Sequence, residues 1–429
     1  MWSSTIEDVK PTKKKIYMKL PFEKVAQRFD EYVNRLRKNV TIKGFRKGKA
    51  PKTLILQQYG EEAKRDTTKE LLKNGYQIAT DKYKLEPVSE PAFTDLKNED
   101  NTPFSFNIIV DVRPKFELKE YKGIEIEKKK VEVTDEDVEK AIRSLQSAFA
   151  KLEDIKERKV KNGDVVIIDV EAREGEKKID SISGDNVYLE LGRGNLKVEG
   201  MEKEIVGMEV GEKKSFEKQF PQDYSDGTLR NKKVTFVISL KTAREKHLPP
   251  INNDFASKID KSLNTIEDLR KKLRERIQRT KEEQEEAREK DEMMEKLLGQ
   301  YDFDLPDSLV TQETSAMIMG YLRELHYRGI DIKQEKYEHS KMREKFEPEA
   351  RNRVKTTFIL LKIADKEKMS INEKELKEFI SKDAQTKGFS TDELYERYAK
   401  ENVLSLVKTD ALSEKVVDFL YKNAIFKEQ

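Results

Sequence analysis

Residues 44–52, Gly-Phe-Arg-Lys-Gly-Lys-Ala-Pro-Lys, constrain the fold of this chain more than any other stretch. Glycine adopts backbone angles that other residues resist, and proline fixes its own φ, so the segment predicts a shaped loop. Pro51 also suits the first turn of a helix, which residues 52–59 could form. We therefore expect a loop of defined shape between two helices.

The charge around this loop has one sign. Between residues 32 and 60 there are eight Lys or Arg residues and no Asp or Glu, although acids and bases alternate closely elsewhere. A basic loop that carries one aromatic, Phe45, suits a polyanion or an acidic protein surface. The alternative is a solvated turn whose Phe45 folds back onto its own domain. Charge alone leaves both interpretations open.

Composition bounds the class of protein. A length of 429 residues suggests roughly three domains. The 86 basic and 83 acidic residues give a net charge of +3, so any attraction to an anion must be local. The absence of Cys excludes disulfides and thiolate chemistry. No signal-like start and no run of roughly 20 apolar residues is visible, so we expect a soluble cytoplasmic protein that does not enter a membrane.

The first 113 residues predict an α+β domain. Residues 13–20 alternate apolar and polar side chains as a half-buried strand does, and a helical stripe follows Pro21. Further helices are expected up to residue 78, and strands over 88–93 and 104–112. The basic loop would lie at the tip of this domain, between helices.

Residues 114–152 predict a linker followed by a helix. Residues 115–133 look extended, and Thr134 with Asp137 resembles a capping box that opens the helix. Residues 153–244 then predict a compact, mostly antiparallel β domain, because short apolar strands alternate with glycines and one short helix is expected near 200–206. We expect the helix of the linker segment to return to the helices at the C-terminal end.

Residues 245–429 predict an all-α domain with projecting arms. Between residues 278 and 292, eleven of fifteen residues are charged, so this helical stretch is expected to project into solvent. Flexible thioether side chains suit a surface that binds many apolar shapes, although core packing explains any single Met equally well. The candidate client-binding residues are Met293, Met294, Met317 and Met319.

Metal and nucleotide chemistry are not indicated. The three His residues lie far apart in sequence, and none has a familiar metal-ligand spacing. Gly192-Arg193-Gly194 lacks the strand–loop–helix context and the Lys-Ser/Thr ending of a phosphate-binding loop. We expect no metal and no cofactor.

The loop sequence resembles the ribosome-docking loop of the trigger factor family, whose members are bacterial ribosome-associated chaperones. The residues that carry the resemblance there are Gly44, Phe45, Arg46, Lys47 and Lys49, followed by Pro51. Segments 165–170, 191–194 and 207–213 are similar to FKBP-type prolyl isomerases, and 248–256 and 301–310 to the helical region of the same family. The resemblance covers the whole chain. It implies a multidomain α+β fold in which residues 153–244 form an FKBP-like antiparallel β domain with a short helix.

The resemblance implies partners and an activity. The partners would be the large ribosomal subunit near the exit tunnel, and nascent and unfolded polypeptides; self-association away from the ribosome is left open. The chaperone action would be independent of ATP. The implied activity is peptidyl-prolyl isomerisation, in which an apolar pocket binds the twisted amide better than the planar one. The candidate pocket residues are Tyr224, Phe220, Phe236, Val198 and Met201.

This pocket looks eroded, since Met201 and a Val-Glu-Gly turn stand where the family usually has aromatics or a Val/Ile-Pro-Gly turn. If each lost transition-state contact costs about 1.4 kcal/mol, the rate falls tenfold per contact, so weak activity is expected. The alternative is that these residues are the core of a non-catalytic domain. Two other classes of function are a free-standing prolyl isomerase and, against the near-neutral net charge, an RNA-binding protein. A periplasmic chaperone is disfavoured.

Overall fold

The computed structural model describes residues 1–99, 101–194, 198, 200–222, 224, 229–327 and 339–428. The chain divides into two compact units, Met1–Lys129 with Glu286–Gln429, and Lys130–Glu285. The four-part division predicted above, at residues 113, 152 and 244, stays a prediction about independently folding domains.

The strands, in chain order, are β1 (Ser3–Lys10), β2 (Lys13–Leu20), β3 (Ala92–Lys97), β4 (Phe104–Asp111), β5 (Glu125–Lys128), β6 (Lys151–Asp154), β7 (Val165–Glu174), β8 (Lys177–Lys178), β9 (Gly184–Glu190), β10 (Lys213–Gln219), β11 (Lys233–His247) and β12 (Ile425–Glu428). The helices are α1 (Phe22–Asn39), α2 (Lys52–Tyr83), α3 (Asp135–Ala148), α4 (Met201–Ile205), α5 (Asn253–Ile259), α6 (Ile266–Gly299), α7 (Asp307–Tyr327), α8 (His339–Lys366), α9 (Glu373–Lys387), α10 (Thr391–Lys400) and α11 (Leu404–Lys422).

The N-terminal part of the first unit is an antiparallel sheet of order β1-β2-β4-β3. Ile16 pairs with Ile108 and Met18 with Phe106, and all four side chains are buried, which confirms the alternation predicted for residues 13–20. The strand predicted over 88–93 begins later, at Ala92. Strand β1 was not predicted, because its side chains are mostly exposed and show no apolar alternation.

Helices α1 and α2 belong to the same part of the unit. Helix α2 is one continuous helix through Gly60, where separate helices were expected. Farther along α2, a Cβ atom at Gly75 would lie 2.8 Å from the Phe106 ring. Because real Cβ atoms do not approach that closely, glycine at this position permits the close approach of α2 to the sheet.

The second unit contains the expected antiparallel β domain. Its sheet has the order β10-β11-β7-β8, with β6 on β11 and β9 on β7, and the short helix α4 lies where it was predicted. Helices α3 and α5 and the start of α6 share a separate apolar cluster that includes Ile142, Phe255 and Leu269. The predicted capping box is confirmed, since Thr134 and Asp137 each accept a hydrogen bond from the other's backbone N–H.

The charged stretch 278–292 of α6 does not simply project into solvent as expected. The Glu289 side chain is buried and accepts a hydrogen bond from the Tyr421 hydroxyl. Lys290 pairs with Asp418 of α11 at 2.7 Å. The expectation failed because a charged face can be packed when the neighbouring segment supplies polar partners.

The prediction that the chain is helical throughout after residue 252 is wrong at the C-terminal end. There, strand β12 pairs in parallel with β5. The other edge of β5 is satisfied by side chains of α6, with Arg288 and Lys296 donating to the carbonyls of Glu127 and Glu125. This arrangement holds the linker segment against the C-terminal helices within the first unit.

Candidate functional sites

The basic loop consists of two successive tight turns. The Phe45 N–H donates to the Ile42 carbonyl at 3.0 Å, and the Lys49 N–H donates to the Arg46 carbonyl at 2.9 Å. Gly44 and Gly48 occupy the third position of these turns, with φ of +90° and +82°. Type II turns require a positive φ there, which glycine adopts without strain. The two glycines, one on each side of Phe45, Arg46 and Lys47, therefore allow both turns to close.

The loop is anchored at its base by apolar packing. Ala50 is buried with Val33 and Ile55 in a cluster between α1 and α2, and Ile42 packs against the same cluster. Pro51 directly precedes α2, one residue outside the first turn in which it was expected. The loop therefore has a packed base between α1 and α2 and two hydrogen-bonded turns above it.

The cations of the loop differ in their partners. Lys52 pairs with Asp30 at 2.7 Å, and Arg35 of α1 pairs with Glu70 at 2.7 Å, so acids from outside the acid-free segment neutralise its base. The side chains of Lys43, Arg46, Lys47 and Lys49 form no ion pair with any residue that the structure describes, and all four residues are exposed. The positive charge is thus concentrated at the tip.

Phe45 lies among these cations and is 40% exposed. It does not belong to the apolar cluster that holds Ala50, at least among the described residues. An exposed aromatic on a fixed turn is available to a partner at little conformational cost. The geometry therefore favours an accessible Phe45 over the alternative in which it folds back onto its own domain.

The five candidate pocket residues of the β domain converge on one core. Phe220 follows β10, Phe236 lies in β11, and their ring centroids are 6.4 Å apart. Tyr224 packs edge-to-face on Phe220 at 4.8 Å. Val198, which precedes α4, and Met201, its first residue, belong to the same cluster. Sequence reasoning thus selected residues that are neighbours in space.

Their burial limits what each can do. Phe220, Phe236, Val198 and Met201 have almost no exposed surface, and only Tyr224 is half-buried. A fully buried side chain shapes a pocket from behind and cannot contact a substrate unless the structure rearranges. Residue 199, in the Val-Glu-Gly turn of residues 198–200, and residue 223, next to Tyr224, lie outside the described part of the chain.

The structure adds one aromatic that sequence reasoning missed. Phe216 of β10 stacks on Phe236 with a centroid separation of 5.3 Å and is only partly buried. It lies in β10 four residues before Phe220, which directly follows that strand, so the period of two along an extended chain was the available signal.

The four candidate Met residues differ in exposure. Met293 has 0% exposure within the apolar cluster of α6, α8 and α11 and is a core side chain, whereas Met294 is half-buried against that cluster. Met317 of α7 is half-buried, and Met319 is 57% exposed. The prediction of a client-binding role is therefore corrected for Met293, since a side chain without accessible surface cannot meet a client. Sequence reasoning missed Leu406 and Tyr327, which are also strongly exposed.

Among the described residues, no group of three or more His, Asp or Glu side chains could hold a metal ion. Within the same residues, no helix is long and apolar enough to cross a membrane.

Comparison with known proteins decides the family. Profiles described as bacterial trigger factor protein and bacterial trigger factor protein C-terminus match residues 2–145 and 265–422. The chain is 32% identical over 409 residues to the trigger factor of Geobacillus sp. (strain WCH70), with 94% of each chain covered. The chain belongs to the trigger factor family. A second trigger factor, from Carboxydothermus hydrogenoformans, is 31% identical over 98% of this chain and 99% of its own.

The domain order agrees with this membership. A profile of FKBP-type peptidyl-prolyl cis-trans isomerases matches residues 156–241, which contain all five pocket candidates. The chain is therefore a trigger factor chaperone that carries an FKBP-type peptidyl-prolyl isomerase domain, as the sequence predicted. The basic loop and the Met residues fall within the N-terminal and C-terminal trigger factor matches.

Proposed function

We propose that this trigger factor docks on the large ribosomal subunit near the exit tunnel through its basic loop, and holds nascent and unfolded chains on its C-terminal helices. Docking rests on one observation above the others: the cations at the loop tip form no ion pair among the residues that the structure describes, while the exposed Phe45 lies among them on two hydrogen-bonded turns. Binding would release counterions from RNA phosphates or pair the cations with an acidic ribosomal protein.

We assign each part of the chain a role that is consistent with docking on the ribosome. Residues 1–113 would be the docking domain, 153–244 the isomerase domain and 245–429, with the segment 114–152, the client-holding body. Clients would meet exposed apolar side chains such as Met319 and the half-buried Met317, by weak and distributed contacts that need no nucleotide for release. The work would take place in the cytoplasm, where ribosomes and emerging chains are found.

We further infer that isomerisation is weak. Four of the five pocket candidates are buried, and Met201 replaces an aromatic that the family usually has, so few groups remain to bind a twisted amide. A protease-coupled assay on a proline-containing peptide measures this. Rates typical of FKBP-type enzymes would contradict weak activity, and no rate above background would remove the isomerase role.

Co-sedimentation with ribosomes tests the docking proposal. The test variant replaces Phe45, Arg46 and Lys47 together by Ala. A control with Lys19→Ala and Lys97→Ala removes two exposed cations from the sheet of the same domain. The test variant is expected to remain in the supernatant, while the control and the wild type pellet with ribosomes. Equal pelleting of all three proteins would overturn the proposal, and tight binding of the wild type to bare RNA would favour an RNA-binding protein instead.

A further inference from the structure

The turn between β1 and β2 contacts the start of α7, nearly 300 residues later in the chain. The Thr12 hydroxyl is buried and donates to the Leu305 carbonyl at 3.3 Å. Val88, beside β4, packs in the same apolar cluster as Leu305 and Leu309. Both sides of this contact belong to the first compact unit. The same cluster includes Val354 of α8, so the N-terminal sheet and the α7–α8 helix pair are joined by packing as well as by polar contacts.

Asp111 supplies the main polar contact. It ends β4, is only 5% exposed, and accepts the backbone N–H of Ser308 at 2.8 Å. Ser308 lies in the first turn of α7, where backbone N–H groups have no partner inside the helix. An Asp side chain is a preferred acceptor at such a position, and its charge is favourable at a helix N-terminus. The cap of α7 thus comes from another part of the chain, 197 residues away.

Two lysines of the sheet also form ion pairs with an acidic residue of α7. Lys10 and Lys13 pair with Asp307, the first residue of α7, at 2.9 and 2.6 Å. Lys13 is half-buried, and its second acidic neighbour is Asp111 at 3.9 Å. The two carboxylates and two ammonium groups therefore alternate across the joint, and each charge has an opposite neighbour.

We propose that this joint couples the N-terminal domain to the α7–α8 helix pair, with Asp111 as a positioning residue that sets where α7 begins. Separating the sheet from α7 exposes the first-turn N–H groups and breaks both lysine pairs at once. Any ligand that shifts the sheet therefore shifts the stability of the first turn of α7, and a ligand on α7 acts back on the sheet by the same factor. The coupling rests on these contacts and not on the proposed ribosome docking.

Hydrogen exchange of the full-length protein measures the coupling. Asp111→Ala removes the acceptor, and we expect the first-turn amides of α7 to exchange roughly five- to thirty-fold faster, the factor that loss of a helix cap produces. Asp111→Asn keeps an acceptor oxygen and is expected to retain most of the protection. Asp8→Asn is the control, since Asp8 lies on the same sheet but pairs only with Lys14 at 2.8 Å among the ion pairs of the described residues.

A second variant, on α7, keeps the coupling testable if the Asp111→Ala protein misfolds. Asp307→Asn alters α7 alone, at a partly exposed side chain, and should accelerate exchange in the β1–β2 turn while the centre of β4 stays protected. Unchanged exchange of α7 in Asp111→Ala, or of the turn in Asp307→Asn, would overturn the coupling. Equal acceleration throughout the sheet and helices in both variants would also overturn it, since that pattern reports general destabilisation and not a joint.

Discussion

Arg158 and Asp164 form a bidentate ion pair in the FKBP-type domain, with Nη1···Oδ2 at 2.6 Å and Nη2···Oδ1 at 2.8 Å. The Asp164 carboxylate is 1% exposed and also accepts the Lys161 N–H at 2.8 Å. Burial alone would raise the pKa of Asp164, but the hydrogen bonds from Arg158 and Lys161 outweigh it and hold the pKa below its usual value. The pair closes the turn that leads into β7.

Arg158→Ala should destabilise this domain strongly, because it leaves a buried carboxylate without its countercharge. We expect a loss of about 3 kcal/mol, near the lower end for a broken buried pair because Arg158 itself is partly exposed. Hydrogen exchange of β7 amides measures the loss. Arg173→Ala is the matched control, since Arg173 pairs with Glu171 on the surface and should cost less than about 1 kcal/mol. Equal losses in the two variants would contradict a structural role for the pair.

The same pair predicts a pH dependence. A carboxyl group whose folded pKa is depressed contributes stability above its unfolded pKa of about 3.9 and loses it as the pH falls through the folded value. Protection of β7 in the wild type should therefore fall as the pH drops below about 4, even after correction for intrinsic exchange. Protection that stays constant from pH 6 to pH 3 would show that Asp164 contributes nothing through its charge.

Thr134 tests the helix cap that the sequence predicted. Thr134→Ala removes the hydroxyl that accepts the Asp137 N–H, so helix α3 should lose about 1 kcal/mol. Ser144→Ala is the control on the same helix, since the Ser144 hydroxyl only donates to the Lys140 carbonyl within it. The control is expected to be neutral or slightly stabilising because Ala favours helix. Exchange of α3 amides that responds equally to both substitutions would contradict the capping role.

In the isomerase domain, a substitution at Tyr224 is expected to lower catalysis, whereas one at Phe236 is expected to lower stability. Tyr224 is the half-buried member of the pocket group, so Tyr224→Ala should lower kcat/KM for a prolyl peptide roughly tenfold while the fold persists. Phe236 is fully buried, and Phe236→Ala should cost about 3–5 kcal/mol of stability. The readouts are the protease-coupled assay and exchange of β11 amides. Wild-type activity in a folded Tyr224→Ala protein would remove Tyr224 from the site.

In the C-terminal helices, a substitution at Met319 is expected to lower client affinity, whereas one at Met293 is expected to lower stability. Met319→Gln should weaken binding of an unfolded client about fivefold, since part of an exposed apolar side chain no longer leaves water on binding. Stability should not change. Met293→Ala should instead cost about 2–5 kcal/mol of stability, because the cavity lies in the core of α6, α8 and α11. Client titration by fluorescence anisotropy distinguishes them, and unchanged affinity in Met319→Gln would exclude Met319 from the client surface.

Local patterns predicted much of the fold. The alternation around Ile16 and Met18, the cap at Thr134 and the glycine turns at Gly44 and Gly48 each depend on neighbours within a few residues. Their physical causes are therefore visible in a short window of sequence. The family resemblance supplied the domain order, and the profile and relative matches confirm it.

The misses share a different cause. Strand β12 exists only because β5 offers a partner, and Glu289 is buried only because Tyr421 donates to it. The contact of Asp111 with Ser308 joins segments that no local pattern connects. Burial divided the candidate Met residues in the same way, since Met293 and Met319 look alike in sequence. Long-range pairing decides these features, and a single sequence does not display it.

The most direct test of docking through the loop is the affinity for ribosomes of Phe45→Ala compared with Lys43→Ala, measured by co-sedimentation at low and high salt. Lys43 is an exposed neighbour that carries charge but no aromatic ring. Docking through Phe45 as well as charge predicts that Phe45→Ala weakens binding roughly tenfold at both salt concentrations, consistent with loss of one stacked aromatic contact. Lys43→Ala should weaken it mainly at low salt. Wild-type affinity in Phe45→Ala would contradict this, and would reduce the loop to an electrostatic contact.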